Sequence, residues 1–167
     1  MAFFLFQARK INIKMIYTPH VISGAVIGSL IQNLPAAFVI GFVSHFVFDA
    51  IPHLETSTYR KEKDKDKKPE KKAIIFEVFE VLVGTIIVYF FWKNHEFAPA
   101  IFWAAFGSIL PDLIDNVPFW SWELRKLPGF KQFHEFHEFV HYNLKKKYWY
   151  FGIPVYIIVL IALIIFW

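Results

Sequence analysis

Apolar runs alternate with short turns and charged stretches along this chain, and the ionisable residues within the runs collect at one end of each. Five runs stand out, at residues 17–33, 35–52, 73–92, 98–118 and 148–167. A membrane-crossing helix needs about 20 mostly apolar residues, so each run reads as a transmembrane helix, the first two short. Gln32-Asn33-Leu34-Pro35 forms a turn, with Pro35 suited to the first position of the second helix. Residues 93–97 form another turn. The stretch 55–72 is a Lys/Asp/Glu run without apolar periodicity, expected to be a solvated loop. A further segment, Phe133–His141, alternates differently. His134, His137 and His141 fall within about 60° on a helical wheel, opposite Phe133, Phe136, Phe139 and Val140. It reads as an amphipathic helix lying in the membrane interface, at about 130–144.

The expected architecture is therefore all-α: an integral membrane bundle of about five transmembrane helices plus one interfacial helix. One domain is expected over 15–167. Residues 1–14 are expected to be an N-terminal extension, their apolar patch preceding the basic residues in the reverse order of a signal peptide. Met15 is a second candidate start.

Composition agrees with a membrane class. Of 167 residues, 56% are hydrophobic, 20% are aromatic and 21 are Phe, and the mean hydropathy is +0.41. A soluble domain of this length would not carry so many large apolar side chains. Charge then orients the bundle. Seventeen of the 18 Lys and Arg fall in the N-terminal segment, the 55–72 loop and the 119–147 segment, and only Lys93 lies opposite. With five spans those three regions share one side. The positive-inside rule makes that side cytoplasmic, with the C-terminus external. The expected location is thus the inner, or cytoplasmic, membrane.

Chemistry enters with the polar residues inside the spans, which are costly there and mark function by default. His45, Asp49 and His53 recur every four residues in the second span. That spacing stacks them on one face, each about 6 Å beyond the last. Asp112 and Asp115 stand at i and i+3 in the fourth span, where two bare carboxylates would repel each other unless a cation is shared. Glu77 and Glu80 open the third span as candidates for general base or ligand. His20 opens the first, ahead of Gly24 and Gly28. Glycines four apart allow helices to approach closely, and Gly41, Gly84 and Gly107 suggest the same elsewhere. The chain has no Cys, so any metal must be held by His, Asp and Glu. The candidate ligands are His20, His45, Asp49, His53, Asp112, Asp115, His134, His137 and His141, all at the cytoplasmic end. A weak internal echo accompanies them: Gly41 and Gly107 are each followed by Asp at +8 and Pro at +11.

Several stretches resemble a known family. Thr18-Pro19-His20 before a Gly-rich span, Ser44–His53 and Gly107–Asp115 are similar to the membrane-bound metal-dependent hydrolases of the YdjM-type inner-membrane group. The His-x-x-x-Asp-x-x-x-His stretch also resembles motifs of zinc-dependent phospholipase C and the P1-type nucleases. In this chain the His-Asp-His motif precedes the Pro-Asp motif, the reverse of that group's order. Its His-Arg-Gly-x-x-His stretch is missing, and the 134–141 histidines are the candidates to replace it.

The resemblance implies a hydrolase that holds zinc with His, Asp and Glu, and the number of candidate ligands allows one to three divalent ions. A site at headgroup depth among basic loops points to membrane lipid as partner and to a phospholipid or other phosphoester as substrate. No nucleic acid is expected as a partner. Two alternatives stand beside this reading. His137-Glu138-Phe139-Val140-His141 matches the H-E-x-x-H pattern of metalloproteases. A non-catalytic, metal-binding or structural membrane protein is the other. A transporter is disfavoured, because residues 24–33, 36–43, 84–92, 98–107 and 148–167 carry no Asp, Glu, His, Lys or Arg.

Overall fold

The computed structural model describes residues 17–51, 71–117, 120–141 and 153–167. Among them every regular element is a helix and no strand occurs. The order is α1 (Tyr17–Ser29), α2 (Leu34–Asp49), α3 (Lys71–Lys93), α4 (Ala98–Asp115), α5 (Ser121–Leu124), α6 (Phe130–Val140) and α7 (Ile153–Ile165). Helices α1, α2, α3, α4 and α7 fall in the five apolar runs, and α6 in the His-rich segment.

Local chemistry sets the boundaries. The Asn33 side chain accepts a hydrogen bond from the Ala36 N–H at 2.9 Å, and Pro35 sits in the first turn of α2. Pro99 begins α4 in the same manner. Pro111 lies inside α4 and has no N–H to offer the Gly107 carbonyl, which loosens the last turn. Gly129, with φ of 87°, turns the chain into α6 through a backbone conformation that a Cβ would disfavour.

Helix α4 is the axis of the packing, in contact with both α2 and α1. The approach is backbone to backbone. A Cβ on Gly28 would lie 2.6 Å from the Ala100 carbonyl oxygen, and one on Gly24 2.7 Å from that of Ala104. These pairs show that α1 runs antiparallel to α4. Gly41 and Gly107 face Ala104 and Phe38 equally closely. Gly41 against Ala104 and His45 against Ser108 show that α2 runs parallel to α4. Lipid tails are as apolar as side chains, so helix association in a bilayer relies on such close packing more than on the hydrophobic effect. A modest core of Val21, Ile22, Ala25, Phe91, Ile101, Ala105, Val159 and Leu163 ties α1, α3, α4 and α7 together.

The outer surface is strongly apolar. Val39, Val43 and Val47 on α2, Phe79, Leu82 and Ile86 on α3, and Ile157, Ile161 and Ile164 on α7 are all exposed. Among the described residues one helix, α4 with 18 residues, is long and apolar enough to cross a membrane, and α2 is an apolar helix of 16 residues. The expectation of five spans thus meets five helices, one of which, among the described residues, is both long and apolar enough to cross a membrane.

Helix α6 differs from the expected purely interfacial element. Its His face turns toward α2 and α4, yet Phe133 and Phe136 also pack on Phe46 of α2, with ring centroids 6.2 and 5.1 Å away. Phe139, 86% exposed, faces outward as the wheel projects, and Phe136 is half exposed beside it.

Candidate metal centre

The helix directions bring the beginning of α1 and the ends of α2 and α4 to one end of the bundle, and α6 lies across it. Six ligand-type side chains converge there. His20 comes from α1, His45 and Asp49 from α2, Asp112 from α4, His137 from α6 and His141 from the residue just beyond it. His20, His45, Asp49 and His137 are fully buried, and His141 nearly so.

Asp49 is the hub. Its Oδ2 lies 3.1 Å from Nε2 of His45, His137 and His141 alike. Its Oδ1 faces His20 Nε2 at 3.2 Å. His45 and His137 bring their Nε2 atoms 3.1 Å apart, and Asp112 Oδ1 stands 3.8 Å from both. Three donor triads result: His20/His45/Asp49, His45/Asp112/His137 and Asp49/His137/His141. Neighbouring ligand atoms of a tetrahedral zinc site lie about 3.3 Å apart, from bonds of about 2.05 Å. The observed separations are of that size, so these groups can hold a metal ion.

Hydrogen bonds behind the cluster fix which nitrogen points inward. Nδ1 of His45 is 2.7 Å from the Ser108 carbonyl oxygen, an atom that only accepts, so Nδ1 carries the proton. Nδ1 of His137 likewise donates to Asp115 Oδ2 at 3.1 Å. In neutral rings both Nε2 atoms are then bare lone pairs, 3.1 Å from each other and from a carboxylate oxygen. Lone pairs this close repel without a cation between them. Orientation of ligand imidazoles by a carbonyl or carboxylate is the usual outer layer of a metal site. His20 stacks on His45 with centroids 4.1 Å apart, and its Nδ1 lacks a hydrogen-bond partner among the described residues.

Asp115 belongs to that outer layer. It receives Nδ1 of His134 at 2.8 Å and Nε of Arg125 at 2.9 Å, besides His137. The i, i+3 spacing gave Asp112 and Asp115 one role; the structure separates them, Asp112 inward and Asp115 against Arg125. His134 reaches Asp115 and joins none of the three triads. Glu80 sits in α3 with Oε2 buried and without a hydrogen-bond partner among the described residues, while its backbone carbonyl accepts from the Thr18 hydroxyl at 3.1 Å. His53 and the side chain of Glu77 lie outside the described residues.

Two contributors escaped the sequence reading. Arg125 counted there only as a basic residue, although its place ten residues after Asp115 was a usable signal. The Ser108 carbonyl had none, since a backbone acceptor leaves no mark in composition. Comparison with family models, characterised proteins and solved structures finds no match to this chain.

Proposed function

We propose that this chain is a metal-dependent hydrolase embedded in the cytoplasmic membrane, acting on a lipid phosphoester at the cytoplasmic face. The observation that carries the reading is the set of Nε2 atoms turned inward around Asp49, with Nδ1 of His45 and of His137 engaged by outer acceptors. Such a set is unfavourable unless a cation fills it. The donors are imidazole and carboxylate, a combination that suits zinc. Six donors exceed what one tetrahedral ion uses. Asp49 presents Oδ1 toward His20 and Oδ2 toward the other three histidines, so either oxygen can serve as a ligand.

A divalent ion supplies a Lewis acid that acidifies water and polarises a phosphoryl oxygen. The chain's own residues do the rest. Asp115 and Arg125 hold His137 in its tautomer, and the Ser108 carbonyl does the same for His45. Glu80 offers a buried carboxylate oxygen as base. In the reaction the water oxygen bonds to phosphorus and the P–O bond to the alcohol breaks. The proton taken from water ends on the departing alcohol. Membrane embedding is supported by the apolar exterior. Placement at the cytoplasmic face is supported by the basic sequence segments that flank this end of α2 and α3.

A membrane metalloprotease is the second reading, favoured by one observation: His137 and His141 of the H-E-x-x-H stretch share a donor triad. One experiment separates the two. Protein purified in detergent is assayed for metal content and for cleavage of phospholipid and peptide substrates, with Asp49→Asn, Asp112→Asn and Glu138→Gln alongside. The hydrolase reading expects bound zinc, phosphoester turnover lost in both Asp variants, and most activity kept in Glu138→Gln. Peptide cleavage abolished by Glu138→Gln alone, with phosphoesters untouched, would establish the protease.

A further inference from the structure

A cleft on the side of the bundle runs toward the ligand end. Helices α3 and α4 each pack on α1 but barely on each other, and the gap between them opens onto the apolar exterior. Its volume is about 420 Å³. Tyr17, Val21, Val88, Trp92, Phe106 and Ile109 line it, with buried Val21 as floor. We infer that this cleft seats the acyl chain of a phospholipid substrate, which enters sideways from the bilayer and leaves its phosphate at the metal centre. The inference rests on the hydrolase reading for the word substrate, and on the cleft itself for the chain.

Continuity with the centre is the main argument. Ile109 lies one helical turn before Asp112, and Tyr17 lies one turn before His20. From Phe102 to Ile109 the α4 wall runs about 10 Å along the helix, at 1.5 Å per residue. That is the length and shape of a chain segment rather than of a headgroup. The lining points the same way, because a phosphate or sugar placed there would lose its hydration without enough partners to replace it. The hydroxyls of Tyr17 and Thr85, 3.4 Å apart, offer polar contact beside the apolar wall. Moving a chain from lipid into an equally apolar cleft changes its solvation little. The cleft therefore acts by orienting the phosphate, and filling it should slow turnover of long-chain substrates selectively.

The test uses the full chain, zinc-loaded, in vesicles of phosphatidylglycerol and phosphatidylethanolamine. A phosphatidylglycerol with a photoactivatable acyl chain is crosslinked and the labelled peptides are mapped. Labels should concentrate on the peptides of Tyr17, Val88, Phe106 and Ile109. Val88→Trp and the milder Thr85→Phe should each lower that labelling several-fold, whereas Val43→Trp, on the outer face of α2, should leave it unchanged. Even labelling of α2, α3 and α7, or labelling undiminished by both fillings, overturns the inference. The same variants are assayed on long-chain and on soluble short-chain phosphatidylglycerol. A loss of about tenfold on the long-chain form alone supports the inference. Equal losses on both forms overturn it and leave the hydrolase reading standing. Labelling confined to the cleft with neither form hydrolysed removes the hydrolase reading and keeps the cleft as a lipid seat.

Discussion

From Ala98 to Gly107, α4 meets its neighbours through close backbone packing; from Ser108 to Asp115 it meets them through polar groups. In the first half Gly28 faces Ala100, Gly24 and Gly41 face Ala104, and Gly107 faces Phe38. In the second half the Ser108 carbonyl, Asp112 and Asp115 meet His45, His137 and His134. The two halves depend on each other. Imidazole and carboxylate side chains reach only a few ångströms, so they converge only if the helix axes are already close. Close axes need residues without bulk in the other half. The glycine half therefore sets the spacing, and the polar half uses it.

Substitutions can break this comparison at either end. The largest effect is expected from Asp49→Ala, which removes the atom shared by His45, His137 and His141. Elemental analysis should show metal content near zero, and turnover should vanish with it. Retention of full metal content would mean that the centre is not built around Asp49.

Next comes the outer layer. Arg125→Ala frees Asp115 to turn from His137 and should weaken metal affinity by about 10–100-fold. The helix content read by circular dichroism should not change. An unchanged affinity in chelator competition would reduce Arg125 to a surface contact.

The glycine half is tested by Gly41→Ala and Gly107→Ala. Each places a methyl against backbone that cannot turn away, at a cost of about 1–3 kcal/mol read as a lower thermal midpoint. Metal affinity should fall as well, since the spacing beneath His45 changes. Gly84→Ala sharpens the contrast. Its new methyl would meet Val21 Cγ1 at 2.9 Å and the Tyr17 ring, side chains that can shift, so a smaller change is expected.

The smallest effect is expected at Lys126, whose ion pair with Glu123 is exposed on both sides. Lys126→Ala should leave metal content and midpoint unaltered within error, since exposed pairs contribute little. A marked loss there would tie the α5–α6 turn to the centre in a way that the packing of the two α4 halves does not account for.

Much of this arrangement was legible beforehand because its signals are local. The five apolar runs became five helices, and the i, i+4 spacing of His45 and Asp49 put both on one face of α2. Pro35 marked the start of that helix. The glycines pointed to close approach. The absence of Cys limited the donors to imidazole and carboxylate. Each of these follows from residue type and short-range period, which the chain carries without reference to its other parts.

Other features were decided only once the helices met. Asp112 and Asp115 are equivalent by spacing, yet one faces the cluster and the other faces Arg125, because α6 and the α5 turn approach α4 from one side only. His134 and His137 share a helical face but differ in depth, and only His137 reaches Asp49. The tautomer of His45 rests on a backbone carbonyl of another helix, 63 positions away. The cleft between α3 and α4 exists because both lean on α1 and only barely on each other. Periodicity fixes the angle of a residue around its own helix. The partner found at that angle depends on how the helices are arranged around α4, and no single segment encodes that.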